Sequence, residues 1–382
     1  MLALTDDDGV LLDHDGLRRR ADAWGATLAR RWGVRAHDRV AVLSYGRADV
    51  FVLAHACRAI GAALVPLSWR AAAPEIAEIV KDCAPKVVLA DTQHADVART
   101  LDAPSALLRD PEPGAPTYAN GDVAQVLYTS GTTGKPKGVL ISPRQIDFNA
   151  RVTQRLCGLS PTDRVLGLLP LFHTGGLNAL ATPVLAAGGG VVVMRRFDPA
   201  VAVSRMAPDR ITALIAVPTI YEQLLDAGLS RATAPHLRTL LVGGAPLAAS
   251  LVARYRHAGL RLRQGYGLTE VGPNCFSFGD DGSVGRPVSG SEARLVDGEL
   301  WLRGPHVTPG YLGRGPATDE DGWFHTGDLF RIDDLGNWRV AGRKKEMFIS
   351  GGENVYPAEV ELALAEHPAI AMPSSVRRTS RW

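Results

Sequence analysis

The run Tyr128-Thr129-Ser130-Gly131-Thr132-Thr133-Gly134-Lys135-Pro136-Lys137-Gly138 carries the residue types a phosphate cradle needs. Glycines let the backbone come close to phosphate oxygens. Backbone N–H groups and hydroxyls donate hydrogen bonds, and two lysines add positive charge. The apolar run Val123 to Leu127 before it reads as a strand, so the loop sits at a strand end. It is not a Walker A loop. That motif needs a Gly five residues before its Gly-Lys pair and a Ser or Thr after it, where this chain has Thr129 and Pro136. A polar surface turn is the plain alternative, but such turns seldom gather this many hydroxyls and glycines.

A second stretch, Gln264-Gly265-Tyr266-Gly267-Leu268-Thr269-Glu270, sets an aromatic ring between glycines, which is expected to expose the ring face and suits stacking on a flat base. Thr269 can hold a phosphate oxygen, and Glu270 is a hard oxygen ligand for Mg²⁺. His173 lies in Leu168-Leu169-Pro170-Leu171-Phe172-His173-Thr174-Gly175-Gly176. Taken alone it reads more commonly as a satisfied core histidine. Leu240-Leu241-Val242-Gly243-Gly244-Ala245 is a strand running into a glycine turn that a base could lie against.

Together these stretches resemble the adenylate-forming superfamily of acyl-CoA synthetases, aryl-CoA ligases, luciferases and peptide-synthetase adenylation domains. The resemblance covers roughly residues 10 to 370. It implies that Thr129, Ser130, Gly131, Thr132, Thr133, Gly134, Lys135 and Lys137 hold the β- and γ-phosphates of ATP, with Thr129 and Glu270 on Mg²⁺. Gly243, Gly244, Ala245 and Tyr266 then take the adenine. Asp328, in Trp323-Phe324-His325-Thr326-Gly327-Asp328, binds the ribose diol. Arg343, in Gly342-Arg343-Lys344-Lys345, reaches the ribose or phosphate, and Lys345 marks an interdomain hinge. His173 borders the acyl pocket, which Val217-Pro218-Thr219 helps to wall. Gly351 and Gly352, in the run from Ser350 to Glu361, line the pantetheine tunnel of CoA. The catalytic set so implied is His173, Thr269, Glu270 and Lys345.

The activity implied is carboxylate activation by ATP through an acyl-adenylate and transfer to CoA, with a fatty or medium-chain acid as the expected substrate. Transfer to a phosphopantetheinylated carrier protein is an alternative acceptor. The resemblance stops near the end. No lysine follows Lys345, whereas the superfamily has one near its C-terminus that contacts the acyl carboxylate and the α-phosphate. The tail from Ala371 to Trp382 is unlike the family. A natural, divergent short tail is the plain alternative, but one back-translation in G/C-rich codons, read from its third base, gives Asp-Ala-Val-Val-Gly-Ala-Pro-Asp-Glu, the strand and turn that the resemblance implies there. The sequence thus points to a frameshift near Ile370 and a truncated small domain. The expected outcome is a catalytically poor chain that still binds ATP or acyl-AMP.

The elements that position these residues follow from periodicity. Leu17 to Trp32 is an amphipathic helix; Val40 to Leu43, Ala63 to Pro66 and Val87 to Ala90 are strands; Val50 to Ile60 and Ala73 to Lys81 are helices. Ala179 to Val193 is sheet and helix core turning at Gly188-Gly189-Gly190, and Ile211 to Pro218 is a strand. Pro104 to Pro116 is a connection. This alternation predicts an α/β fold of mostly parallel sheets covered by helices, with a distorted β-barrel portion and the truncated small α+β domain that the resemblance implies. The domains expected are 1–342, for adenylation, and 343–382, hinge and remnant.

Composition sets the remaining bounds. The 382 residues carry 42 basic and 40 acidic side chains, a balance that favours no polyanionic partner such as nucleic acid. Cys57, Cys83, Cys157 and Cys275 are too far apart for metal or redox spacing and read as reduced thiols. Asp6, Asp7 and Asp8 interrupt any signal-peptide core, no apolar run reaches spanning length, and the cytoplasm is the expected compartment.

Overall fold

The structure, a computed structural model, describes residues 2–129, 136–245 and 247–346, together with the backbone of 348–350 and 353–355. Ser130, Gly131, Thr132, Thr133, Gly134, Lys135, Gly351, Gly352 and the tail from Ala371 to Trp382 lie outside the described residues.

Two mostly parallel sheets form the body. One has six strands in the order Ser105–Leu107, Val87–Ala90, Arg39–Leu43, Ala63–Pro66, Gln125–Thr129 and Lys137–Ile141. All its pairs are parallel except the last, Gln125–Thr129 with Lys137–Ile141. The other has seven, in the order Leu262–Gln264, Thr239–Val242, Ala213–Ala216, Arg164–Gly167, Gly190–Val193, Leu2–Asp6 and Leu11–Asp13. Continuous apolar strands such as Val87–Ala90, buried along their whole length, are what a sheet covered on both faces requires.

The helix His14–Trp32 begins where the Asp13 side chain accepts the Gly16 N–H and ends at Gly33, in the left-handed region with φ 63°. Its Leu17, Ala21, Trp24 and Leu28 join one buried cluster with Phe51 and Leu53 of the helix Ala48–Ala59. That cluster also takes Leu4 and Val191 from the seven-stranded sheet and Val40, Leu64 and Leu89 from the six-stranded one. This helix pair therefore cements the two sheets into one body.

A four-stranded antiparallel sheet follows, in the order Glu292–Val296, Glu299–Arg303, Phe324–Ile332 and Trp338–Arg343. Isolated bridges such as Gly285 with Trp338 extend it, at the place where a barrel portion is expected. Phe348–Ser350 and Glu353–Val355 pair antiparallel beyond it.

Several expectations shift. The strand expected from Ile211 to Pro218 shortens to Ala213–Ala216, because Pro218 opens the helix Pro218–Asp226 at a position where its missing N–H costs nothing. The connection from Pro104 to Pro116 contains the edge strand Ser105–Leu107. The strand before the phosphate loop runs Gln125–Thr129 rather than Val123 to Leu127. All four cysteines are buried and free. Among the described residues no helix is long and apolar enough to cross a membrane.

Candidate active site

The phosphate-type loop joins two antiparallel strands. Thr129 stands opposite Lys137 in register, and Tyr128 opposite Gly138. The loop therefore leaves and re-enters the sheet at one place, which fixes both of its ends. Past Lys137 the returning strand takes up a further segment. Leu140 N–H donates to the Gly310 carbonyl and Leu312 N–H to the Gly138 carbonyl. This pairing brings Tyr311 beside the loop exit, with the Lys137 ammonium 5.3 Å from its ring centroid.

Tyr311 is also the bridge to Glu270. Its hydroxyl donates to Glu270 Oε1 at 3.2 Å. Burial, reinforced by the Glu270 carboxylate, raises the phenol's pKa. The Glu270 backbone is held from two more sides: its carbonyl accepts from Thr308 N–H at 2.7 Å and from Gln145 Nε2 at 3.3 Å. Thr269 lies beside it, its carbonyl 3.5 Å from the same Gln145 nitrogen. Gly267 makes the turn possible, since a Cβ there would lie 2.3 Å from the Gly272 carbonyl oxygen.

Among the described residues no group of three or more His, Cys, Asp or Glu side chains could hold a metal ion. Mg²⁺ is commonly held by one or two carboxylates with substrate phosphates and water completing its shell. Glu270 suits that arrangement: it is half-buried, and among the described residues its carboxylate accepts from Tyr311 on Oε1.

Tyr266, Asp328 and Arg343 form a second group. Tyr266 hydroxyl donates to Asp328 Oδ2 at 2.6 Å, and Arg343 Nε lies 2.7 Å from Asp328 Oδ1. Asp328 and Arg343 are cross-strand partners. The strand Phe324–Ile332 is irregular on both sides of Asp328, with a register shift between Leu329 and Phe330 and Gly327 at φ 71°. Such bulges re-aim a side chain. Thr326 Oγ1 accepts the Asp328 N–H, locking the turn. Burial raises the Asp328 carboxyl pKa, as do Glu270 and Glu299, against the opposing pull of Tyr266 and Arg343. The Tyr266 ring differs from the exposed one expected. It is 8% exposed and packs edge-on against Phe330 at 4.9 Å and Phe276 at 5.6 Å.

The remaining expected residues are spread around these two groups. Gly243, Gly244 and Ala245 follow the strand Thr239–Val242, and Gly244 takes φ 80° with Val217 close by. His173 precedes the short helix Thr174–Leu177, its carbonyl accepting the Leu177 N–H. Its ring lies 4.5 Å from that of Phe172. The ring reaches solvent, yet desolvation by the surrounding protein and the Arg70 charge hold its pKa below the ordinary imidazole value. Lys345 is exposed on the turn after Arg343. Its neighbour Lys344 is the tethered one, with Nζ 2.8 Å from Glu299 Oε2 and its N–H on the Gly327 carbonyl.

Sequence reasoning passed over several residues that build this site. Tyr311, Thr308 and Gln145 hold Glu270. Glu299 is 6% exposed and accepts Gly327 N–H at 2.9 Å, so it braces the Asp328 turn. Burial works to raise the Glu299 pKa, but Lys344 and the Gly327 N–H overcome it and hold it below the usual carboxylate range. Gln125 and Asn178 exchange amide hydrogen bonds at 2.7 and 3.3 Å, tying the strand that carries Thr129 to the segment after His173. The available signal was a polar amide inside an apolar strand, Val123 to Leu127, a pattern that burial tolerates only when the amide is paired.

His306, two residues before Thr308, is 2% exposed and stacks on Phe148 at 5.4 Å. Its Nε2 meets Ser291 Oγ at 3.1 Å, and its Nδ1 is buried without a partner. Burial pushes its pKa down from 6.5 to about 4. Between those values the unfolded chain binds a proton that the folded chain refuses, so stability falls as pH drops from about 6.5 toward about 4. The expected loss is about 2–3 kcal/mol. Urea unfolding of the parent and His306→Phe at about pH 7.5 and about pH 4.5 checks this: the parent should lose that much relative to the variant. A parallel pH dependence in both would contradict it.

The sequence profile described as AMP-binding enzyme matches residues 2–312. The chain is 36% identical over 392 aligned residues to a feruloyl-CoA synthase of Amycolatopsis sp, covering 95% of this chain and 79% of that protein. It is 35% identical to the indoleacetate–CoA ligase of Aromatoleum aromaticum, covering 94% of this chain and 79% of the relative. ATP-bound MatB from Rhodopseudomonas palustris superposes with a TM-score of 0.86 at 30% identity, over 97% of this chain and 81% of that one. The o-succinylbenzoate CoA synthetase of Bacillus subtilis, in complex with its acyl-adenylate, gives 0.85 at 30% identity over the same shares. The chain belongs to the AMP-binding enzyme family, as an AMP-forming acid–thiol ligase that works with ATP, Mg²⁺ and CoA.

Proposed function

We propose that this chain activates an aryl-bearing carboxylic acid and that the two groups just described are the two halves of its nucleotide site. One arrangement carries the reading. Lys137, at the exit of the glycine loop, reaches Glu270 through Tyr311, while Tyr266, in the same motif as Glu270, is linked to Asp328 and through it to Arg343. Loop residues Thr129 to Lys137 hold the β- and γ-phosphates, and Glu270 with Thr129 would hold Mg²⁺. When bound, that ion neutralises charge on the phosphates.

Asp328 and Arg343 take the ribose, and Tyr266 with Gly243 to Ala245 the adenine. The acid's carboxylate oxygen bonds to the α-phosphorus as the bond to pyrophosphate breaks. The CoA sulfur then bonds to the acyl carbon, and AMP leaves with its oxygen. Positioning and charge neutralisation supply the acceleration in such chemistry. His173 borders the acyl site, residues 1–342 form the adenylating body, and Lys345 marks the start of a hinge that leads to Gly351 and Gly352 on the CoA side.

Support for an aryl acid comes from the relatives, whose names specify feruloyl, indoleacetate and 2-succinylbenzoate substrates. A fatty or medium-chain acid is the second reading, favoured by the apolar Val217, expected to wall the acyl pocket, lying close to Gly244. Pyrophosphate release measured across cinnamic, indole-acetic, succinylbenzoic and straight-chain acids tests the choice. An aryl acid should give the highest kcat/KM, and a straight-chain acid doing so would overturn it. The same assay with CoA against a phosphopantetheinylated carrier protein tests the acceptor.

A further inference from the structure

We propose that Gln145 is a positioning residue for Glu270, acting on metal-loaded nucleotide through that carboxylate. The inference rests on Glu270 being the metal ligand, as proposed above.

Gln145 occupies the first turn of the helix Pro143–Cys157. Ser142 caps that helix by accepting the Gln145 N–H, and Pro143 opens it. The local signals thus fix the backbone of Gln145, and its side chain points inward, with the residue only 2% exposed. Its Nε2 lies within 3.5 Å of the Thr269 carbonyl and 3.3 Å of the Glu270 carbonyl. A single primary amide therefore grips two successive carbonyls of the turn that aims Glu270. One helical turn on, Asn149 Nδ2 donates to the Asn178 carbonyl at 2.7 Å, and Asn178 exchanges bonds with Gln125. The helix is keyed by amides at both places, so the Thr269–Glu270 turn is referenced to the same framework as the strand carrying Thr129.

The arrangement is not explained by packing alone. Gln145 Oε1 is buried without a partner, as is Asn149 Oδ1. An unpaired buried carbonyl oxygen is costly, and an apolar side chain of similar length would avoid that cost. What an apolar side chain cannot supply is the pair of N–H donors on the Glu270 turn. Thr308 N–H already satisfies the Glu270 carbonyl, so Gln145 adds orientation rather than first satisfaction.

Calorimetric binding of ATP with Mg²⁺ and with EDTA, on Gln145→Met, Glu270→Gln and the double variant, tests the proposal. Methionine keeps length and volume and removes both donors. Affinity for Mg-ATP should fall about tenfold in Gln145→Met, the scale of one good hydrogen bond. Affinity for metal-free ATP should change less than about twofold. The double variant should bind Mg-ATP no more weakly than Glu270→Gln alone, because coupled residues are non-additive. Equal losses with and without metal, or additive losses, would overturn the role of Gln145. Should Gln145→Met fail to fold, Gln145→Leu, which also lacks the donors and buries no charge, takes its place in the same titrations. If Glu270→Gln itself shows no metal-selective loss, the metal assignment fails first. If it does and Gln145→Met does not, only the present proposal fails.

Discussion

Glu270→Gln should slow pyrophosphate release by roughly 10²–10³-fold, the usual scale for losing one preorganised charge contact at a reacting phosphate or acyl centre. The loss should be steepest at limiting Mg²⁺, because a neutral amide oxygen is a poorer ligand for a hard cation than a carboxylate. The substitution is structurally mild. The amide oxygen can still accept from the Tyr311 hydroxyl, and the backbone grips from Thr308 and Gln145 do not involve the side chain. Thermal unfolding should therefore stay close to that of the parent, which separates lost chemistry from lost fold. Single-turnover pyrophosphate release across a Mg²⁺ series is the measurement. Normal turnover at limiting Mg²⁺ would remove Glu270 from the metal.

How these residues come together was partly legible in the sequence. Val87 to Ala90 and Ala63 to Pro66 are apolar runs of strand length, and both form strands with those same bounds. The glycine turn from Ala179 to Val193 resolves as the helix Ala181–Ala186, Gly188 at φ 83° and the strand Gly190–Val193. Asp328 and Arg343 were singled out by the motifs that carry the resemblance, Trp323 to Asp328 and Gly342 to Lys345. Their mutual ion pair was not, since it depends on cross-strand register, and one residue of slip would send each side chain to the opposite face. Tyr311 and Gln145 escaped for a related reason. Each lies more than 35 residues from Glu270, and no local pattern marks a contact closed by tertiary packing. Tyr266 was misjudged in exposure because flanking glycines say nothing about Phe276 and Phe330 arriving on either side.

The Asp328 carboxylate gives the second large effect, and its sign differs between binding and stability. Asp328→Asn should weaken ATP binding about 10²-fold, since hydrogen bonds to a charged acceptor are worth about 1.5–3 kcal/mol each and a ribose diol would lose two. Stability should move differently. The folded-state pKa of Asp328 is raised, chiefly by burial, so ionising it costs the folded protein more than the unfolded chain. A group with a raised carboxyl pKa supports the fold below its unfolded value and withdraws that support as pH rises through the folded value. Near neutral pH the ionised side chain is therefore a burden that the site carries for function, and asparagine, neutral and still able to accept from Tyr266, relieves it. Asp328→Asn should unfold no lower than the parent near neutral pH while binding ATP poorly. Asp328→Ala should do worse on both counts, because the buried Tyr266 hydroxyl then loses its carboxylate acceptor, at a cost of about 1–3 kcal/mol. Adding Tyr266→Phe to Asp328→Ala should restore most of that loss without restoring ATP binding. Calorimetry and thermal unfolding on the four proteins decide the matter: ATP affinity unchanged in Asp328→Asn would end the ribose assignment, and a large stability loss in that variant would contradict the burial argument.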